Sequence, residues 1–195
     1  MRKIIVSNLV SLDGYYTGPD NNVMVMPFDE AFNTYNTERL RAAETLLLGR
    51  TTFDEFRGYW PPVRDDPHAD STQREISRLN SAIDKVVVSD SLTAEETAPW
   101  HNTEIVRRGE AHARLADLKR KSGKDILIFG SRTLWSDLMA HDLVDELHVM
   151  IGAGIVGAGV SMFAALPPGR FRLIDSRMWE GSGIVLARYD VRRAA

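Results

Sequence analysis

Two short apolar runs in this chain end in glycine where a helix should begin, and that pairing constrains the fold more than any other feature. The first is Asp125–Phe129, followed by Gly130-Ser131, a helical stretch from Arg132 to His141 and a second apolar run at Glu146–Ile151. The second is Leu46–Leu48, closed by Gly49, with a helix starting near Thr51 or Thr52. Both read as buried strands feeding helices across a tight turn. Ser131 is placed to cap the first helix, and Thr52 and Glu55 have capping-box spacing in the second. A glycine at a helix N-terminus lets a ligand approach the backbone, while the unpaired N–H groups of the first turn face outward with the positive end of the helix dipole. Each junction is therefore an anion corner, unless it is only an ordinary strand-to-helix turn.

Two such corners in one domain suit a dinucleotide, with its pyrophosphate and further ribose phosphate. Arg50 adds a fixed, fork-shaped cation beside one of them. The remaining pattern alternates strands (Lys3–Val10, Thr45–Leu48, Lys85–Ser89, Glu104–Arg107, Asp125–Phe129, Glu146–Ile151) with helices (Phe28–Ala43, Thr52–Tyr59, Gln73–Ala82, Ala111–Lys121, Arg132–His141). Thr72 and Glu75 are placed to cap the third helix and Gly123 to end the fourth, while residues 60–71 read as a long loop. This order predicts an α/β fold with a largely parallel central sheet. Gly181-Ser182-Gly183 then predicts an antiparallel C-terminal hairpin. At 195 residues the chain fits one domain spanning residues 1–195. A net charge of -3 with interspersed signs gives no footprint for nucleic acid, and the lack of cysteine removes thiolate metal sites and disulfides. No segment has the apolar length of a membrane span, and the start of the chain reads as a strand, so a cytoplasmic protein is expected.

LLLGRTTFDEF resembles the phosphate turn of dihydrofolate reductases. IFGSRTLWSDLMAHDLVDELHVMI is similar to the turn, helix and strand of the reductase domain found at the C-terminus of the bifunctional riboflavin-biosynthesis deaminase/reductase, and SNLVSLDGYYTGP is similar to the opening of that domain. The motifs run in the family's order over nearly the whole chain, so it is identified as a stand-alone member. The resemblance implies a dihydrofolate reductase-like three-layer fold, a mostly parallel sheet of about eight strands with an antiparallel C-terminal hairpin. It also implies hydride transfer from NADPH, with NADH as the alternative, to a pterin, pyrimidine or related heterocycle, as in 5-amino-6-(5-phosphoribosylamino)uracil reduction. A homodimer is implied as well.

On that basis Leu48, Gly49, Arg50, Thr51, Thr52, Ser89, Arg107, Gly130, Ser131, Leu134 and Gly157 are the expected cofactor residues. Asp90 stands where relatives carry an arginine for the 2′-phosphate, so Arg107 or Arg108 would have to offset its charge. Asp13 is the candidate acid, or else a turn aspartate ahead of Gly14. Asp29 and Trp60 are candidate substrate contacts; Asp29 is equally placed to serve the first helix dipole. Tyr15, Tyr16, Met24, Met26, Phe28 and Tyr59 would extend an apolar wall for a planar ring. Arg39, Arg41, Arg57 and Arg64 are candidates for a substrate phosphate. The unclear acid leaves a second reading, a non-catalytic nucleotide- or ligand-binding protein on the same fold.

Other chemistries find less support. Gly152, Gly154 and Gly157 spell G-x-G-x-x-G after a strand, but Pro167 and Pro168 leave no room for the crossing helix of a Rossmann turn. The five histidines show no metal-ligand spacing, so no metal is expected. No G-x-S-x-G nucleophile elbow occurs.

Overall fold

A computed structural model describes residues 1–164, 166 and 168–192; Pro167 lies outside them. The strands are β1 (Ile4–Ser11), β2 (Tyr15–Thr17), β3 (Ala43–Gly49), β4 (Asp84–Val88), β5 (Thr103–Val106), β6 (Asp125–Phe129), β7 (Glu146–Gly152), β8 (Val160–Ser161), β9 (Arg172–Met178) and β10 (Val185–Asp190). The helices are α1 (Glu30–Ala42), α2 (Arg50–Val63), α3 (Ser71–Ala82), α4 (Ala111–Arg120) and α5 (Arg132–Ala140). Eight strands form one sheet in the order β5-β4-β3-β6-β1-β7-β10-β9; β2 and β8 pair separately. The first six run parallel, and β10 pairs antiparallel with both β7 and β9. This is the dihydrofolate reductase-like α/β architecture.

The layers follow from the period-2 alternation of buried strands. Ile4, Val6, Leu47, Val86, Ile126, Ile128 and Leu147 point to one face, where they pack with Leu115 and Leu118 of α4 and Trp135 and Leu138 of α5. Ile5, Leu46, Leu48, Val87 and Leu127 point to the other, against Leu40 of α1, Phe53 of α2 and Ile76 of α3. The chain thus sends α2 from β3 to one face and α5 from the neighbouring β6 to the opposite face. The pairing of β3 with β6 stops at Leu46 opposite Leu127, before either strand ends, and the crevice beyond it at their carboxyl ends is the usual ligand position of an open α/β sheet.

Several local expectations need correction. The α2 helix runs on through Pro61 and Pro62 to Val63, so the loop expected at 60–71 shortens to residues 64–70. Proline's fixed φ is helical, so the helix continues at the loss of the N–H bonds to the Arg57 and Gly58 carbonyls, and the Trp60 carbonyl accepts from Ser77 Oγ of α3 (2.6 Å). The α3 capping box is Asp70 with Gln73, not Thr72 with Glu75. Helix α4 ends at Arg120, ahead of Gly123. The G-x-G-x-x-G segment opens no helix; the strand that follows is the two-residue β8. Its first two glycines serve close packing, because a Cβ at Gly152 would sit 2.5 Å, and one at Gly154 3.0 Å, from Pro27 side-chain atoms.

Candidate functional site

The crevice is built by the two strand-to-helix junctions, which fasten to each other. Ser131 is not a side-chain cap for α5: its Oγ accepts from the Gly49 N–H across the crevice (3.0 Å). Thr52 forms no capping box with Glu55; α2 begins at Arg50, and Thr52 Oγ1 accepts from the Ser131 N–H (3.0 Å). Each turn thereby supplies the acceptor the other lacks. Asn8, at the end of the β1 pairing with β6, holds the Gly130 peptide from both sides. Its Oδ1 accepts from the Gly130 N–H (2.8 Å), and its Nδ2 donates to the Gly130 carbonyl (3.4 Å). Gly130 has φ +55°, and a Cβ there would lie 2.8 Å from Thr52 Cγ2 and 3.3 Å from the Tyr16 hydroxyl. Any side chain at this position would be both strained and crowded.

These bonds consume three of the N–H groups expected to face a ligand, those of Gly49, Gly130 and Ser131. The first turns of α2 and α5 remain: neither helix has a side-chain cap. The N–H groups of Arg50, Thr51 and Thr52 in one, and of Arg132, Thr133 and Leu134 in the other, are left without an intrahelical acceptor. Arg132 is the residue that sequence reasoning missed. Its side chain is half-buried, and its Nη1 is buried with no hydrogen-bond partner among the described residues, a donor left unpaired at a cost that an arriving anion would remove. Arg50, by contrast, is engaged: Nε donates to Asp54 (2.5 Å) and Nη2 to Glu96 (2.9 Å). Both contacts raise its pKa, and the Glu96 carboxyl is held at about 2, first by Arg50 and then by the Thr93 N–H.

The neighbouring end of β4 is also organised. Ser89 Oγ accepts from the Ser91 and Leu92 N–H groups (3.2 and 3.0 Å), and Arg107 Nη1 donates to the Ser89 and Leu92 carbonyls (2.9 and 3.3 Å). Asp90 accepts from the Arg108 N–H (2.9 Å) and pairs with its guanidinium at 3.5 Å. The cation that offsets Asp90 is thus Arg108, while Arg107 shapes the loop.

Asp13 lies in the turn after β1, where it fastens the 153–157 loop. It accepts from Ser11 Oγ (2.6 Å), the Val156 N–H (3.1 Å) and the Gly157 N–H (2.7 Å). Ser11 first, then the two amides, hold its carboxyl down to about 2, so it is ionised at neutral pH and has no proton to give. Asp29 caps α1, accepting from the Ala31 N–H (2.9 Å), and also accepts from Ser182 Oγ (2.6 Å). Trp60 meets Phe56 and Tyr59 edge-on. The expected apolar wall divides as well: Met26 is core, whereas Met24 is 80% exposed and Tyr59 54%. Arg41, Arg57 and Arg64 are paired with Glu75, Asp54 and Asp65, and Arg39 lies over the Tyr35 ring.

One carboxyl beside the crevice is shifted toward protonation. Glu55 lies one turn beyond Thr52 on the same side of α2, and its pKa is raised by burial and then by Asp54. Tyr16, whose hydroxyl approaches Gly130, is pushed up by burial and then by Glu55.

Comparisons with known proteins bear on the fold and the family. Residues 2–185 match the family model described as the RibD C-terminal domain. A relative from Bacillus subtilis (strain 168), the uncharacterized protein YyaP, is 28% identical over 192 residues, covering 96% of this chain and 94% of its own. Among solved structures, the Thermotoga maritima diaminohydroxyphosphoribosylaminopyrimidine deaminase/5-amino-6-(5-phosphoribosylamino)uracil reductase superposes with a TM-score of 0.66 at 13% identity. That match covers 97% of this chain and 56% of the bifunctional protein. The dihydrofolate reductase of Enterococcus faecalis, complexed with NADP(H), superposes with a TM-score of 0.58 at 12% identity, covering 96% and 95%. These superpositions establish the fold, and the family match establishes kinship: the chain belongs to the RibD C-terminal domain family.

Proposed function

We propose that this protein is a nicotinamide-dependent reductase whose crevice between β3 and β6 holds the dinucleotide. The observation that carries the reading is the interlocked pair of uncapped helix N-termini with the buried, unpartnered Arg132 Nη1 beside them. A site rich in N–H donors, with a guanidinium whose Nη1 has no partner among the described residues, fits a phosphate-bearing ligand. Leu48, Gly49, Arg50, Thr51 and Thr52 would frame one phosphate corner and Gly130, Ser131, Arg132 and Leu134 the other, with Gly157 on the loop held by Asp13. The bound nicotinamide would supply a hydride; the chain's own part is to orient it, exclude water and deliver a proton.

For that proton Glu55 is better suited than Asp13: its pKa is raised, by burial and then by Asp54, and its exposed side chain can exchange protons with solvent, whereas Asp13 is held down to about 2. A cofactor of NADPH type is favoured, because Arg108 offsets Asp90 and Arg107 lies at the same strand end. The substrate class is a pterin, pyrimidine or related heterocycle, by kinship with a family whose matched structure includes a uracil reductase. The protein would act in the cytoplasm as a homodimer; among the described residues no helix is long and apolar enough to cross a membrane.

The test is oxidation of NADPH and NADH by the purified protein, followed by the loss of reduced-nicotinamide absorbance against a panel of pyrimidines and pterins. Turnover that disappears in Glu55→Gln while nucleotide binding persists supports the assignment. Binding without turnover on any heterocycle favours the second reading, a ligand-binding protein. That reading draws on one observation: Asp13 and Asp29 are both committed to holding loops and helices.

A further inference from the structure

Outside the crevice, the fold brings together three side chains that sequence spacing alone kept apart. His112 stands in the first turn of α4, while Asp137 and His141 lie at i and i+4 near the end of α5. The packing of α4 beside α5 on one face of the sheet sets His112 Nε2 2.6 Å from Asp137 Oδ2, with His141 Nδ1 3.5 Å from Asp137 Oδ1. The two imidazoles stack with ring centroids 3.9 Å apart and planes tilted by 30°. One ligand atom from each of the three residues lies within 4.8 Å of the other two.

We propose that His112, Asp137 and His141 form a binding site for a zinc-class divalent cation that staples α4 to α5. Bonds of about 2.0–2.2 Å place neighbouring ligand atoms of a tetrahedral ion about 3.3–3.6 Å apart. The His141–Asp137 side-chain separation already matches that spacing, and the metal must displace the 2.9 Å contact between His141 Nδ1 and the Asp137 main-chain oxygen. The His112–Asp137 pair is hydrogen-bonded at 2.6 Å and must open by under about 1 Å to admit the metal. Two imidazoles with one carboxylate suit zinc, nickel or cobalt; calcium and magnesium prefer all-oxygen sets. His112, Asp137 and His141 side chains are 41%, 51% and 52% exposed, so an ion reaches the site from solvent and its fourth position stays open to water. The expectation of no metal rested on the spacing of histidines with one another. The informative spacing is Asp137 to His141 on one helix face, completed by a residue 25 positions upstream.

The staple does not depend on the reductase reading. Its test is calorimetric titration of zinc chloride into untagged, chelator-treated and dialysed protein, with cobalt(II) as a spectroscopic probe. One ion per chain is expected, with the visible absorption of four-coordinate cobalt and a rise in melting temperature from binding to the folded state alone. His112→Gln and Asp137→Asn should each weaken binding by more than about 100-fold, beyond what loss of a supporting residue costs. The double variant His68→Gln/His101→Gln, which removes histidines outside the cluster, should bind as wild type does. No zinc binding tighter than about 100 µM overturns the site. So does binding that persists in both His112→Gln and Asp137→Asn.

Discussion

The reciprocal bond pair that joins the two junctions should behave as one energetic unit, and a double-mutant cycle of Thr52→Val and Ser131→Ala measures it. Thr52→Val removes the acceptor of the Ser131 N–H, a buried donor; Ser131→Ala removes the acceptor of the Gly49 N–H, a partly buried one. Leaving a buried donor unpaired costs about 1–3 kcal/mol, and water reaches a partly buried donor more readily. Thr52→Val should therefore destabilise by about 2 kcal/mol and Ser131→Ala by about 1. For a chain of this length that is a drop of about 2–8 °C in melting temperature. Both bonds hold the same crevice, so once one is lost the other turn is already free to shift, and the double variant should cost less than the sum by about 0.5 kcal/mol or more. Urea unfolding of the four proteins gives the stabilities, and NADPH titration of each gives the functional consequence, a weaker site in every variant. Strict additivity would refute the idea that the turns are mutually supporting.

Other consequences are separable. Arg132→Gln should weaken nucleotide binding by about 1.5–3 kcal/mol, the range for a charge-assisted bond, whereas Arg50→Gln should weaken it less because Arg50 must leave Asp54 and Glu96 to reach a phosphate; fluorescence titration ranks them, and the reverse order counts against Arg132. Asp13, with its pKa held at about 2, contributes stability that is fully present above its ordinary value near 3.8 and is lost as pH falls through about 2. Asp13→Asn should accordingly speed amide exchange at Val156 and Gly157 at neutral pH, and unchanged protection there would sink the clamp. Lys85 is buried on the Ile83 carbonyl and the Trp100 ring, and burial lowers its pKa to about 8. The unfolded chain then binds the extra proton between about pH 8 and 10.5, so stability should rise with pH across that window by at most about 3 kcal/mol. Lys85→Met should flatten this rise in pH-dependent unfolding, and an unchanged slope would assign it elsewhere.

The strands and helices were legible because alternation and apolar runs report burial directly. DILIF and LLL are buried on both faces, and the Gly-Ser-Gly hairpin lies where its turn residues put it. Caps were less legible. Ser131 has the residue type and position of an N-cap, yet its φ of +53° turns its Oγ toward Gly49, a partner 82 residues away that local spacing cannot reveal. The same holds for Asn8, whose place in an apolar strand carries no sign that it clasps Gly130. Arg50 and Arg132 illustrate the general difficulty. Both follow a strand-ending turn, and only the fold shows that carboxylates from α2 and from the segment after β4 claim the first, while Nη1 of the second has no partner among the described residues. Sequence identifies charges; packing decides which of them are free.

The most direct test of the central claim is a titration of the purified protein with NADPH and NADH, read by nucleotide fluorescence. The paired junctions predict saturable binding of one nucleotide per chain, tighter for NADPH and weakened by Arg132→Gln. Failure of either nucleotide to bind at millimolar concentration would contradict the account.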